Sequence, residues 1–196
     1  MTKIALFGTS ADPPTVGHKM IIEWLSQNFD KAVVWVSDNP FKYHETSLEQ
    51  RSIMLSILIE NIESNQNNIY LNQELSSRRT LETVELARKK WNDAEFTLVI
   101  GSDLVKQLLS WYQIEKLLQQ VELLIIPRKG ITTKEVDLQN LRELSREVKI
   151  AFLKVPNVSS SVYREQGDEM TIAPPIKDYI YQHKLYQWQK ATTEKI

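Results

Sequence analysis

Residues 8–18 read Gly-Thr-Ser-Ala-Asp-Pro-Pro-Thr-Val-Gly-His, residue types whose spacing suits the handling of phosphate. The apolar run Ile4-Ala5-Leu6-Phe7 precedes them and an amphipathic segment follows, so they form a strand–loop–helix corner. Thr15-x-Gly17-His18 then occupies the first turn of the helix. Unpaired backbone N–H groups and the positive end of the helix dipole make such a corner an anion site. Gly17 leaves room for a ligand to approach the backbone, and His18 adds a donor whose charge can change near neutral pH. The same residues also fit a plain N-cap at Thr15 with His18 solvated in the first turn, and this motif alone does not separate the two readings.

The elements that would position these residues follow a regular order. Short apolar runs at Ile4–Phe7, Ala32–Val36, Ile69–Leu71, Phe96–Ile100, Val121–Ile126 and Ile150–Val155 alternate with helical patterns. Several runs are continuous rather than alternating, as expected of parallel strands covered on both faces. Leu55, Leu58, Ile59 and Ile62 mark one helix, with Ser47 and Gln50 as its capping box. Further helices are expected over Thr80–Trp91, Leu138–Val148 and Ile176–Tyr186. The pattern predicts a single-domain α/β fold, a doubly wound, mostly parallel Rossmann-like sheet with helices on both faces. The domain spans residues 1–189, and residues 190–196 form a frayed tail.

Each group of unusual residues falls just after a predicted strand. Gly8–His18 follows the first, Ser37–His44 the second, Gly101-Ser102-Asp103 the fourth, Pro127-Arg128-Lys129-Gly130 the fifth and Pro156–Arg164 the sixth. In open α/β sheets ligands bind outside the carboxyl ends of the strands, near a switch point in strand order. The convergence of five such segments on one edge favours a nucleotide site over scattered surface loops.

Singly, the segments carry less. Ser159 or Ser160 can cap a short helix whose N-terminus, with Arg164 one turn on, would surround a polyphosphate; an ordinary cap with a solvated Arg fits as well. Asp103 after Gly101 can meet ribose hydroxyls or simply complement a helix dipole. Lys42 and His44 lie in a loop from which they can reach a phosphate or remain solvated. Trp111-Tyr112 follows the apolar stripe Leu104, Leu108 and Leu109, which suits a core Trp or a stacking platform. Neither G-x-x-x-x-G-K-[ST] nor G-x-G-x-x-G occurs, so a P-loop kinase and a hydride-transferring dehydrogenase are not indicated.

Composition sets the outer bounds. The 196 residues, 42% hydrophobic, suffice for one substantial core. A net charge of −1 gives no global case for nucleic acid or an anionic membrane as partner, so an anionic ligand must be met by local basic residues. Cysteine is absent, which excludes disulfides, thiol catalysis and thiolate metal sites. No apolar stretch approaches a membrane span and no targeting segment is apparent, so a cytoplasmic enzyme or binding protein is expected. A homo-oligomer is left open.

Taken together, the motifs resemble those of bacterial nicotinate-nucleotide adenylyltransferases, most of all the cyanobacterial form. That family opens with a strand and G-G-[ST]-F-D-P-x-H-x-G-H, here Gly8 to His18. Its Lys after the second strand matches Lys42, and its R-x-x-M matches Arg51 to Met54. Thr80, Glu82 and Thr83 fall on its S-Y-T-x-[DE]-T stretch, and Gly101, Asp103 and Trp111 on its G-x-D and downstream Trp. I-S-S-[ST]-x-[IV]-R matches Val158 to Arg164. The closing Tyr-Ile and Leu-Tyr pairs match Tyr179-Ile180 and Leu185-Tyr186. The match covers nearly the whole chain in order. Thr15 replaces the first His, Ala11 the Phe and Arg79 the aromatic before Thr80. A Thr at the first position is the pattern of the phosphopantetheine adenylyltransferases, the second reading. A non-catalytic nucleotide sensor is a third, and a truncated class I aminoacyl-tRNA synthetase a remote fourth.

The resemblance implies adenylyl transfer from ATP to nicotinate mononucleotide, yielding deamido-NAD and pyrophosphate, within NAD biosynthesis. It implies catalytic roles for His18, Lys42 and Arg164. ATP would meet Gly8, Thr9, Ser10, Thr15, Gly17, His18, Gly101, Asp103, Arg128, Ser159, Ser160 and Arg164. The nicotinate nucleotide would meet Ser10, Lys42, Arg79, Thr80, Trp111 and Tyr112, with Trp111 stacked on the pyridine ring and Arg79 against its carboxylate. Mg²⁺ is expected as cofactor, held mainly through the phosphates rather than by protein ligands.

Overall fold

A computed structural model of the chain describes residues 1–39, 42–64 and 66–186. Its strands are β1 (Thr2–Thr9), β2 (Lys31–Val36), β3 (Ile69–Leu71), β4 (Ala94–Gly101), β5 (Glu122–Ile126) and β6 (Val148–Ile150). Helices α1 (Val16–Asn28), α2 (Leu48–Glu60), α3 (Thr80–Lys90), α4 (Val105–Leu108), α5 (Ile114–Leu118), α6 (Glu135–Leu144), α7 (Ser160–Gln166) and α8 (Pro174–Gln182) connect and follow them. All strand pairs are parallel, in the order β3-β2-β1-β4-β5-β6. The strand order reverses between β1 and β4. Every C-terminal strand end therefore lies on one edge, with the β1–α1 loop at the reversal.

The continuous apolar strands are explained by burial on both faces. Ala5 and Phe7 of β1 pack with Ile22 and Leu25 of α1, Met54 and Leu55 of α2 and Ile176 and Ile180 of α8. Ile4 and Leu6 face the other way, toward Leu81, Val84 and Ala87 of α3 and Leu138 and Leu141 of α6. The expected capping box begins α2: Ser47 Oγ accepts from the Gln50 N–H at 3.2 Å, and Gln50 Oε1 accepts from the Ser47 N–H at 3.2 Å.

Most strand and helix ends lie within two residues of the sequence reading, and three elements differ by more. The sixth strand is Val148–Ile150 rather than Ile150–Val155. It is an edge strand on β5, which ends at Ile126, and among the described residues the strand pairing stops once the Ala151 N–H has donated to the Ile125 carbonyl at 2.9 Å. Leu153 and Val155 pack onto the core without joining the sheet. Val148 accordingly belongs to the strand, and α6 occupies Glu135–Leu144. The C-terminal helix runs from Pro174 to Gln182, after which Lys184 and Tyr186 both take φ of 51°. The expected tail, residues 190–196, lies outside the described residues.

Gly8 has a packing role. A Cβ there would lie 2.6 Å from the Trp35 ring on β2, so the indole occupies the space a side chain would need. Gly8→Ala should lower stability in urea unfolding by about 1–3 kcal/mol, the range for overpacking a filled core. Adding Trp35→Leu should recover part of that loss; no loss in the single variant would show that the indole yields freely.

Candidate active site

The β1–α1 loop ends at Thr15, the N-cap of α1, with φ −114° and ψ 168°. Two donors converge on one ring nitrogen of His18. The Thr15 N–H reaches Nδ1 at 3.0 Å, and Thr15 Oγ1 lies 2.8 Å from the same atom. Nδ1 must therefore be the unprotonated nitrogen, which puts the neutral ring's proton on Nε2. Withdrawal of the ring from water, followed by the nearby Arg128 charge, lowers the His18 pKa from 6.5 to about 4. The sequence reading allowed a charge change near neutral pH; in the fold, burial and Arg128 favour the neutral imidazole, with its proton on Nε2. Thr15 is 1% exposed, with its hydroxyl committed to His18, so it acts on a ligand through that ring rather than by direct contact.

The segment after β6 closes over the same loop. Ser159 caps α7, its Oγ accepting from the Val162 N–H at 3.2 Å. Ser160 Oγ donates to the Pro13 carbonyl at 2.7 Å, so its single hydroxyl proton is not available to a phosphate in this arrangement. Arg164 donates from Nη1 to the Asp12 carbonyl at 2.6 Å and from Nη2 to Ser161 Oγ at 3.3 Å, and its Nε lies 3.5 Å from Glu45. Gly17 lies beneath this segment: a Cβ would meet Val155 and Val158 at 3.2 Å, so its missing side chain admits protein rather than ligand.

Across the switch point, Asp103 Oδ1 pairs with Arg128 Nε at 3.0 Å, and the Arg128 N–H donates to Ser102 Oγ at 2.9 Å. Gly101 makes this approach possible, because a Cβ would lie 2.3 Å from Asp103 Oδ1. Asp103 and Arg128 thus face the site as an ion pair at the ends of β4 and β5. The Thr9 carbonyl accepts from the Ser37 N–H at 2.8 Å, and the Ser10 carbonyl accepts from Arg51. Lys42 is exposed in the loop after β2.

A second group lies beside α3. Trp111 packs on the α3 side of the sheet and lines a shallow cavity of about 360 Å³ with Gln113, Ile114, Glu115 and Lys116. Arg79 lies over the Tyr112 ring with its guanidinium carbon 3.9 Å from the centroid, and its Nη1 is 3.7 Å from Glu82. Thr80 is the first residue of α3, next to them.

Three residues to which the motif reading assigned no role prove central. Asp12 is 1% exposed and accepts at Oδ2 from the Glu45 N–H at 2.8 Å. Its Oδ1 accepts from Thr46 Oγ1 at 2.7 Å and from the Tyr186 hydroxyl at 2.5 Å. Arg51, 2% exposed, donates from Nη1 to the Ser10 carbonyl at 2.9 Å and the Ser37 carbonyl at 3.0 Å, joining the loops after β1 and β2. Its signal was legible: Arg51 occupies the apolar stripe of Leu55, Leu58 and Ile62, an unusual place for a charge. For Tyr186 the signal was its place in the closing Leu185-Tyr186 pair of the resemblance, which marks the residue but not its partner.

The edge therefore offers a helix N-terminus with a histidine donor, and Arg164, Arg128 and Lys42 as cations. This is the equipment of an α/β nucleotide-binding transferase acting on phosphate. The cytidylyltransferase-like family model matches residues 6–166, and the chain belongs to that family. It is 38% identical to a Synechocystis protein named "Probable nicotinate-nucleotide adenylyltransferase", over 94% of this chain and 99% of the relative. A Bacillus cereus protein of the same name is 30% identical over 95% of this chain and all of its own length. In fold the chain resembles Plasmodium falciparum nicotinic acid mononucleotide adenylyltransferase complexed with NaAD. The TM-score is 0.80 at 23% identity, covering 95% of this chain and 98% of that one.

The depressed His18 pKa has a testable sign. The unfolded chain takes up the proton near 6.5 and the folded protein only near 4, so lowering the pH through this window disfavours the fold. Stability should therefore fall more steeply between these values in the wild type than in His18→Gln. Parallel pH profiles of denaturation midpoints would refute the assignment.

Proposed function

We propose that the protein transfers the adenylyl group of ATP to nicotinate mononucleotide, forming deamido-NAD and releasing pyrophosphate. The observation that carries the chemistry is the His18 Nε2–H, held by Thr15 at the N-terminus of α1 beside the strand-order reversal. Two relatives that share one name and align over 99% and 100% of their length support the choice of acceptor.

In this reading an oxygen of the mononucleotide phosphate attacks the α-phosphorus. The new P–O bond forms as the bond to the bridging oxygen breaks, and pyrophosphate leaves with that electron pair. The attacking oxygen is already anionic, so no general base is required. The protein's work is alignment of two anions and stabilisation of charge on the α-phosphate and leaving group. His18 Nε2–H and the α1 N–H groups supply donors, while Arg164, Arg128 and Lys42 supply positive potential. Ser159 and Ser160 contribute through the start of α7 rather than through their hydroxyls. Gly101 and Asp103 meet the adenosine ribose, Trp111 stacks on the pyridine ring with Thr80 and Tyr112 beside it, and Arg79 faces its carboxylate.

Among the described residues no group of three or more His, Asp or Glu could hold a metal ion, and Asp12 and Asp103 already have protein partners. These residues fit a Mg²⁺ carried in on the phosphates, where it would neutralise charge and polarise the P–O bonds. No helix among the described residues is long and apolar enough to cross a membrane. A cytoplasmic setting suits the substrates and the absence of cysteine.

The deciding experiment supplies ATP and Mg²⁺ with nicotinate mononucleotide, nicotinamide mononucleotide or phosphopantetheine and follows pyrophosphate. Release is expected with the nicotinate substrate, and His18→Ala should lower turnover by roughly 10²-fold or more. Release with phosphopantetheine alone would mean that Thr15 marks the sister activity. ATP binding without any release would mean a sensor. Arg79→Ala should shift preference from acid toward amide by about tenfold, the scale of one charge-assisted contact; an unchanged ratio would remove Arg79 from recognition.

A further inference from the structure

The C-terminal segment reaches the phosphate-binding loop through one side chain. Tyr186 lies beyond α8, is 6% exposed and donates its hydroxyl to Asp12 Oδ1 at 2.5 Å. Its ring meets that of Tyr163 on α7 edge to face, with centroids 5.9 Å apart. Asp12 stands at the centre of the β1–α1 loop, between Ala11, which is buried at φ 46°, and Pro13, whose carbonyl receives Ser160. The Asp12 carbonyl receives Arg164 at 2.6 Å. One buried aspartate thus holds the loops after β1 and β2, the α7 arginine and the end of the described chain in one arrangement.

We propose that Tyr186 is a positioning residue for nucleotide binding, holding the phosphate-binding loop in its competent conformation through Asp12. The inference rests on the reading of residues 8–18 as the ATP site, not on the identity of the acceptor. Burial, then the bond to the Asp12 carboxylate, pushes the Tyr186 pKa far above its ordinary value, so the phenol remains a donor at any working pH. Thr46 Oγ1 also donates to Oδ1, at 2.7 Å. Removing either donor leaves a buried carboxylate oxygen short of a partner, and the native loop becomes less populated relative to displaced forms. A ligand that requires the native loop then binds more weakly in proportion to the lost population, while the bound complex regains the same geometry. The effect falls on affinity rather than on the chemical step.

Tyr186→Phe keeps the ring against Tyr163 and removes only the hydroxyl. Calorimetric titration with ATP and Mg²⁺, well below the melting temperature, should show Kd raised about tenfold, the scale of one hydrogen bond to a charged group. The KM for ATP should rise equally, with kcat changed less than about twofold. Thr46→Val removes the other Oδ1 donor, should behave alike, and serves as the test if Tyr186→Phe does not fold. Tyr181→Phe is the control: Tyr181, on α8, loses a hydroxyl bond to Glu169 that does not involve Asp12, and ATP affinity should stay unchanged. A lower melting temperature with wild-type ATP affinity in both donor variants would overturn the proposal, leaving Tyr186 a purely structural residue. Failure of the wild type to bind ATP would overturn the nucleotide reading and this inference with it.

Discussion

A carboxylate taken out of water destabilises a fold unless donors surround it, and Asp12 is the point where this protein meets that requirement. Its donors are drawn from the Glu45 backbone, the Thr46 hydroxyl and the Tyr186 phenol, which lie 33, 34 and 174 positions away in sequence. Satisfying one charge therefore forces three distant parts of the chain together at the open edge of the sheet. Arg51 does the reciprocal work from α2. Its buried guanidinium takes the carbonyls of Ser10 and Ser37, groups that two irregular loops would otherwise leave unpaired. The loops are shaped by electrostatic necessity more than by their own conformational preferences.

That scaffold explains the state of His18. Both donors on Nδ1 come from Thr15, whose position is set by the end of the same loop, so the imidazole is oriented and its tautomer chosen before any ligand arrives. A neutral ring with an outward N–H attracts a phosphate less strongly than a cation would. Under the proposed function its advantage is that it donates without rearrangement where charge develops, which is what a preorganised site requires. The proposed function draws positive potential instead from Arg128 and Arg164, each held by bonds to the protein.

Much of this was legible in the residues. Continuous apolar runs correctly indicated parallel strands covered on both faces, and Ser47 with Gln50 located the start of α2, because these signals arise from contacts within a few residues. The polar segments after successive strands do come to lie on one edge of the sheet, as their order along the chain implied. Less accessible were the positions where another part of the chain decides the outcome. Ile150–Val155 has the composition of a strand, yet β5 ends too soon to pair with it. The Ser160 hydroxyl looks available to a phosphate until Pro13 comes within 2.7 Å.

Sequence alone determined the element types, the β1–α1 strand–loop–helix corner and the family resemblance, since each depends on residues close together or on their order along the chain. Only the tertiary structure decided that Asp12 anchors the loop, that Tyr186 reaches it from the far end of the described chain, and that burial lowers the His18 pKa while Thr15 bonds to its Nδ1. These properties depend on burial and on partners brought within hydrogen-bonding distance by folding. Nothing in the spacing of residues along the sequence encodes such proximity directly.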